Sequence, residues 1–178
     1  MLLFKVSPFM SMQLLWINLV TDSLPAIALG MEAIDPNVMD RKPKPKKEGI
    51  FANGLGIQVV LQGIMFAVLS LIGFRVGSQA TASIEGGRTL AFIVLAFAQI
   101  LHAYNMRSHK SLFKIGFFTN KYLNLASLVS TVLMCLVLFI PPIASVFGLI
   151  RLPLKLYMLG FGLAAVPVLV LEIVKAFG

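Results

Sequence analysis

An all-α, polytopic bundle of five membrane-spanning helices is the fold class this sequence predicts, and three observations carry that expectation. Of the 178 residues, 58% are hydrophobic and only 12% are charged, with a mean hydropathy of +0.92; a soluble core does not use that much apolar surface. Apolar runs of about 20 residues, enough to cross roughly 30 Å of hydrocarbon, recur five times. The residue-by-residue alternation of a transmembrane barrel is missing, so backbone groups in lipid must be satisfied within helices. The whole chain, 1–178, reads as one transmembrane domain.

The first run covers about 9–31 and includes "WINLVTDSLPAIALGME". It does not read as a cleavable signal peptide, because Asn18 and Asp22 stand mid-span and a charged loop without a small-residue cleavage site follows. The second run, about 54–76, carries Gly56, Gly63, Gly73 and Gly77 with Gln58 and Gln62, a pattern for close helix contact. The third, about 89–106, holds Gln99 and His102. His102 and His109 stand seven apart without a nearby acid or cysteine, so they read as interface histidines rather than metal ligands. The fourth, about 121–141, places Asn124, Ser127 and Thr131 on one face for helix packing. Its Cys135 is the single cysteine, which leaves no disulfide framework or thiolate cluster. The fifth, about 153–175, ends with Glu172 three residues from Lys175, close enough to pair.

The formal charge of +8 is distributed by topology. One loop, "DPNVMDRKPKPKKEG", holds Arg41, Lys42, Lys44, Lys46 and Lys47; another, "MRSHKSLFKIGFFTNK", holds Arg107, Lys110, Lys114 and Lys121. Both are expected to face the cytoplasm. Five spans then leave the N-terminus outside, the loops near Ser78–Gly87 and Pro142–Leu152 outside, and the C-terminus cytoplasmic. The Lys/Pro stretch favours an extended, solvated conformation that contacts lipid headgroups or a cytosolic domain, and no nucleic-acid partner is expected. Asp40 and Arg41 are placed to pair locally and order the turn before it.

Polar groups inside the spans are the informative ones. A carboxylate at mid-bilayer costs at least about 2.5–3.5 kcal/mol on insertion scales, so Asp22 marks a candidate functional site. In an α-helix Asn18, Thr21 and Asp22 stand at i, i+3 and i+4, projecting three oxygen donors from one face. Oxygen donors suit a hard cation such as calcium, whereas softer metals prefer thiolate or imidazole. Pro25 lacks the N–H that would bond the Thr21 carbonyl, and its ring pushes that carbonyl aside. Broken helices of this kind line ion sites in membrane proteins. The competing reading is a proline kink in which Asp22 is neutral or paired with a neighbouring helix.

The stretch "LLWINLVTDSLPAIALG", followed by "DPNVMDRKPK", resembles the sixth membrane helix and following cytoplasmic loop of calcium-transporting P-type ATPases. More weakly, the resemblance extends across all five spans, which would then be helices six to ten of a ten-helix pump. It implies that Asn18, Thr21 and Asp22 coordinate calcium as the transported ion. "FAQILHAYNMRS" aligns with the family's eighth helix and puts Gln99 where two-ion calcium pumps have Glu; its side-chain carbonyl is either a further ligand or an interhelical hydrogen-bonding group. Sodium/potassium pumps are similar too, but usually carry Asp at the position of Asn18.

The family's phosphorylation motif "DKTGT" and actuator motif "TGE" do not occur in the sequence. ATP and magnesium would therefore act only through domains absent from this chain. The partners implied are the remaining helices and cytosolic domains of the pump, together with membrane lipid. A free-standing membrane scaffold or regulatory protein derived from such a domain is the alternative from another class. A secondary transporter, built on broken helices repeated in two halves, fits less well.

Overall fold

The computed structural model describes residues 7–31, 55–106 and 120–177. The long basic loop with its Asp40–Arg41 pair, and Arg107, His109, Lys110 and Lys114 of the second basic loop, lie outside the described residues. Five helices are long and apolar enough to cross a membrane: Ser11–Gly30, Leu55–Thr81, Ile84–Asn105, Lys121–Phe139 and Leu154–Lys175, the first to fifth spans below. Among the described residues there is no strand, and the chain is a multi-pass integral membrane protein.

The third span is the hub, packing against each of the other four, and it is the most buried. Its Leu90, Phe92, Ile93 and Ala96 are fully enclosed by Ile17 and Val20 of the first span, Met134 and Val137 of the fourth, and Leu156 and Ala164 of the fifth, all in one core cluster. Lipid tails are as apolar as these side chains, so association rests on close packing and on hydrogen bonds between helices.

The glycine pattern of the second span supplies the close packing. A Cβ on Gly77 would lie 2.5 Å from the carbonyl of Gly86, and one on Gly73 would lie 3.1 Å from Val94, whereas Gly63 meets nothing within 4 Å. The backbones touch at one end of the pair, where they are joined by a turn much shorter than the loop expected near Ser78–Gly87. The second span runs to Thr81 and the third begins at Ile84, leaving Ala82 (φ 51°) and Ser83 between them. Ser83 Oγ accepts from the N–H of Gly86 at 3.0 Å, capping the third span.

Polar ties fix the two ends of the bundle. At the end where the first span begins, Gln13 is completely buried. Its side chain donates to the Phe147 carbonyl at 2.8 Å and accepts from the Met10 N–H at 3.0 Å. Phe147 follows the short helix Pro141–Val146 and meets Trp16 edge-on, ring centroids 5.5 Å apart. At the opposite end, Lys175 Nζ donates to the carbonyl of Asn105 at 2.7 Å, and Glu172 lies 4.0 Å from Lys175. A cation on the last carbonyls of the third span complements the helix dipole. Asn120 donates to the carbonyl of Ala28 at 3.4 Å, tying the start of the fourth span to the end of the first.

Candidate functional site

The first span is three helical pieces in line: α-helix over Ser11–Ile17, π-helix over Asn18–Ser23 and α-helix over Leu24–Gly30. Sequence reasoning expected one α-helix kinked by Pro25. Proline removes a donor and crowds the preceding turn, and the chain answers by widening that turn to i→i+5 bonding. Side-chain hydroxyls follow the backbone through it. Thr21 Oγ1 donates to the Ile17 carbonyl at 2.7 Å, and Ser23 Oγ donates to the Asn18 carbonyl, five residues back, at 3.3 Å.

The widened register changes which carbonyl Pro25 deprives. An α-register assigns the missing N–H to Thr21, but five residues before Pro25 stands Val20. The Val20 carbonyl accepts instead from Ser130 Oγ of the fourth span at 2.7 Å. Both residues are buried, Val20 at 3% exposure and Ser130 at 0%.

It also changes which way the candidate donors face, and the expectation of one shared face is corrected. Thr21 is 2% exposed and turns into the bundle, where its Oγ1 lies 2.7 Å from Oε1 of Gln99. Asn18 and Asp22 remain on an exposed face of the first span. A turn that closes over five residues rather than four cannot keep positions i, i+3 and i+4 aligned. Gln99 is half-buried on the third span and stands at the level of the π-helical turn. Thr21 has one hydroxyl proton for two contacts. Donation to Ile17 and acceptance from the Gln99 amide are satisfied together when the carboxamide presents its NH2, which frees the Gln99 carbonyl oxygen for another partner.

Among the described residues no group of three or more His, Cys, Asp and Glu side chains gathers anywhere. A cation held beside the π-helical turn would therefore meet one carboxylate with amide, hydroxyl and carbonyl oxygens, a donor set for a hard ion that needs further ligands from outside these residues. His102 makes an edge contact with Phe66, ring centroids 5.1 Å apart, as an interface residue does. Asn124 accepts from the Tyr104 hydroxyl at 3.1 Å, and Ser127 is buried.

Sequence reasoning missed Ser130. The face it drew through Asn124, Ser127 and Thr131 runs one residue aside from the one that meets Val20. The available signal was a serine in an apolar helix at a spacing of three from Ser127, together with a proline in another span that had to leave one carbonyl without its N–H.

A family model described as "Cation transporting ATPase, C-terminus" matches residues 6–177. Calcium-transporting ATPase 1 of Bacillus cereus is 34% identical over 186 residues, covering 95% of this chain and 21% of that protein. The calcium-transporting ATPase of Bacillus subtilis is 39% identical over 172 residues, covering 96% of this chain and 19% of that protein. Calcium-transporting ATPase 1 of Schizosaccharomyces pombe is 32% identical over 150 residues, covering 84% of this chain and 17% of that protein. The chain spans about a fifth of the length of these relatives.

Proposed function

The chain belongs to the cation-transporting ATPase C-terminal family, and from that premise we propose that it forms half of the membrane transport unit of an ATP-driven calcium pump. Its chemistry is ion coordination. Asp22 supplies the negative charge and Asn18 a neutral oxygen from the exposed face of the first span. Thr21 and Gln99 supply or position neutral oxygens beside them. The remaining helices of the pump close over that face and complete the six to eight oxygens that calcium takes. ATP and magnesium are handled by cytosolic domains outside this sequence.

One observation carries the reading: the only acid near the middle of the first span sits inside a π-helical turn, with a carboxamide one turn away on the same exposed face. π-helical turns occur mostly at functional sites, because they give up regular bonding to re-aim side chains and carbonyls. The deciding experiment is ATP-driven calcium uptake into vesicles by the assembled pump. Asp22→Asn keeps the shape and removes the charge, and it should abolish calcium-dependent phosphorylation by ATP. Normal calcium dependence in that variant would falsify the site.

The orientation follows the basic loops, with the N-terminus outside and the C-terminus cytoplasmic. In a Cys135→Ser background, Lys46→Cys should react with an impermeant thiol reagent only from the cytoplasmic side and Ser83→Cys only from outside. Reversed labelling would invert the whole scheme.

A further inference from the structure

We propose that Ser130 is a positioning residue of the cation site: its hydroxyl stands in for the N–H that Pro25 lacks, and so holds the first span in the widened turn that carries Thr21 and Asp22. This deepens the calcium-site reading above and rests on it.

The reasoning begins with the backbone. In an α-register the Val20 carbonyl would accept from the N–H of Leu24. In the i→i+5 register that N–H serves Leu19, and the group due at Val20 is the N–H of residue 25, which is proline. Val20 thus loses both of its possible helical donors. A buried carbonyl without a partner is costly, and hydrocarbon offers no water to replace one. If nothing met it, the turn would be free to tighten to the α-register, returning Leu24 to Val20 and passing the missing bond on to the Thr21 carbonyl. Ser130 removes that freedom: its Oγ donates to Val20 at 2.7 Å from a side chain that is 0% exposed.

Tightening would move the candidate ligands. Thr21 and Asp22 follow Val20 directly, and their placement, with Thr21 turned to Gln99 and Asp22 on the exposed face, belongs to the wide turn. Ser130 touches none of the ion's proposed ligands, and acts on them through one backbone carbonyl. A serine placed only to pack would owe nothing to Pro25, whereas a surrogate donor is needed only while residue 25 has no N–H.

That dependence is the test. In the assembled pump in membrane vesicles, the half-saturating calcium concentration of ATP-driven uptake is measured for Ser130→Ala, Ser130→Cys, Ser130→Thr and Asp22→Asn, and for Ser130→Ala combined with Pro25→Ala. Ser130→Ala should raise the half-saturating concentration about tenfold, with the maximal rate per pump changed by less than about twofold. Ser130→Thr keeps the hydroxyl and should stay within about threefold of the parent. Ser130→Cys keeps the volume with a weak donor and should lose at least about fivefold, so it carries the test if the alanine variant does not accumulate. In the Pro25→Ala background, where the turn closes and the Leu24 N–H returns to Val20, removing the Ser130 hydroxyl should change the affinity by less than about twofold. Equal losses in both backgrounds, or full affinity in Ser130→Cys, overturn the positioning role while Asp22→Asn still shows the site. Unchanged calcium dependence in Asp22→Asn overturns the site itself, and the role of Ser130 falls with it.

Discussion

Pro25 in the first span and Pro167 in the fifth are both buried inside membrane helices, yet the chain treats them differently. Around Pro167 the residues are Ala164, Ala165, Val166 and Val168, and the helix continues as α from Leu154 to Phe177. Around Pro25 stand Thr21, Asp22 and Ser23, and the preceding turn opens to π. Each proline removes one donor and crowds one turn. What differs is the hydroxyls at hand: Ser130 replaces the donor missing at the Val20 carbonyl, and Thr21 and Ser23 add bonds to the carbonyls of Ile17 and Asn18. Proline alone therefore does not set the register of a membrane helix; the hydroxyls around it do.

The acids of the same two spans part in the same way. Glu172 is buried and lies 4.0 Å from Lys175 on its own helix, which in turn caps the third span. Asp22 projects from a π-helical turn onto an exposed face. The largest expected effect breaks this pair apart. Asp22→Asn should lower calcium-dependent phosphorylation of the assembled pump by at least about a hundredfold. Glu172→Gln should leave calcium affinity within about twofold while lowering thermal stability by about 1–2 kcal/mol. Comparable loss of calcium affinity in both would mean that the two acids are not distinguished by role.

Next in size is the proline pair. Pro25→Ala restores an N–H beneath the π-helical turn and lets it close, so calcium affinity should fall about tenfold, equivalent to about 1.4 kcal/mol, without loss of protein from the membrane. Pro167→Ala, in a helix that is already α, should change affinity by less than about twofold. Calcium titrations of uptake separate the two, and equal values would leave the register without a function.

The smallest expected effect, a factor of two, concerns Gln99. It brings an amide rather than a carboxylate to Thr21, so two divalent ions held there would repel with little compensation, even at an effective dielectric of about 20. Radioactive calcium bound per phosphorylatable pump should approach one, and a value of two would remove this constraint. Gln99→Glu restores a second ion only where the other ligands exist, because a lone buried acid takes up a proton instead.

The five spans were legible because apolar length is a coarse property that survives any detail of packing. Gly73 and Gly77 were legible too, as the contact points they are. Asp22 declared itself by the cost of placing a carboxylate in an apolar run. The facing of Asn18, Thr21 and Asp22 was not legible, because i, i+3 and i+4 share a face only if the turn is α, and the register depends on a donor in another span. Ser130 is that donor, 110 residues away in sequence, and nothing local to Pro25 points to it. The two-residue turn at Ala82 was hidden for a different reason: Glu85 and Gly86 read as loop, while Ser83 capping and close glycine contact make them the first turn of the third span.

That turn also bears on how the chain enters the membrane. The third span starts with Glu85 and Arg88 and is less apolar than the second, so by itself it partitions into lipid with less driving force. Two residues cannot let it wait outside while its neighbour inserts. A two-residue turn makes the second and third spans one helical hairpin to the bilayer, its more apolar limb tied to the limb that the other helices pack against.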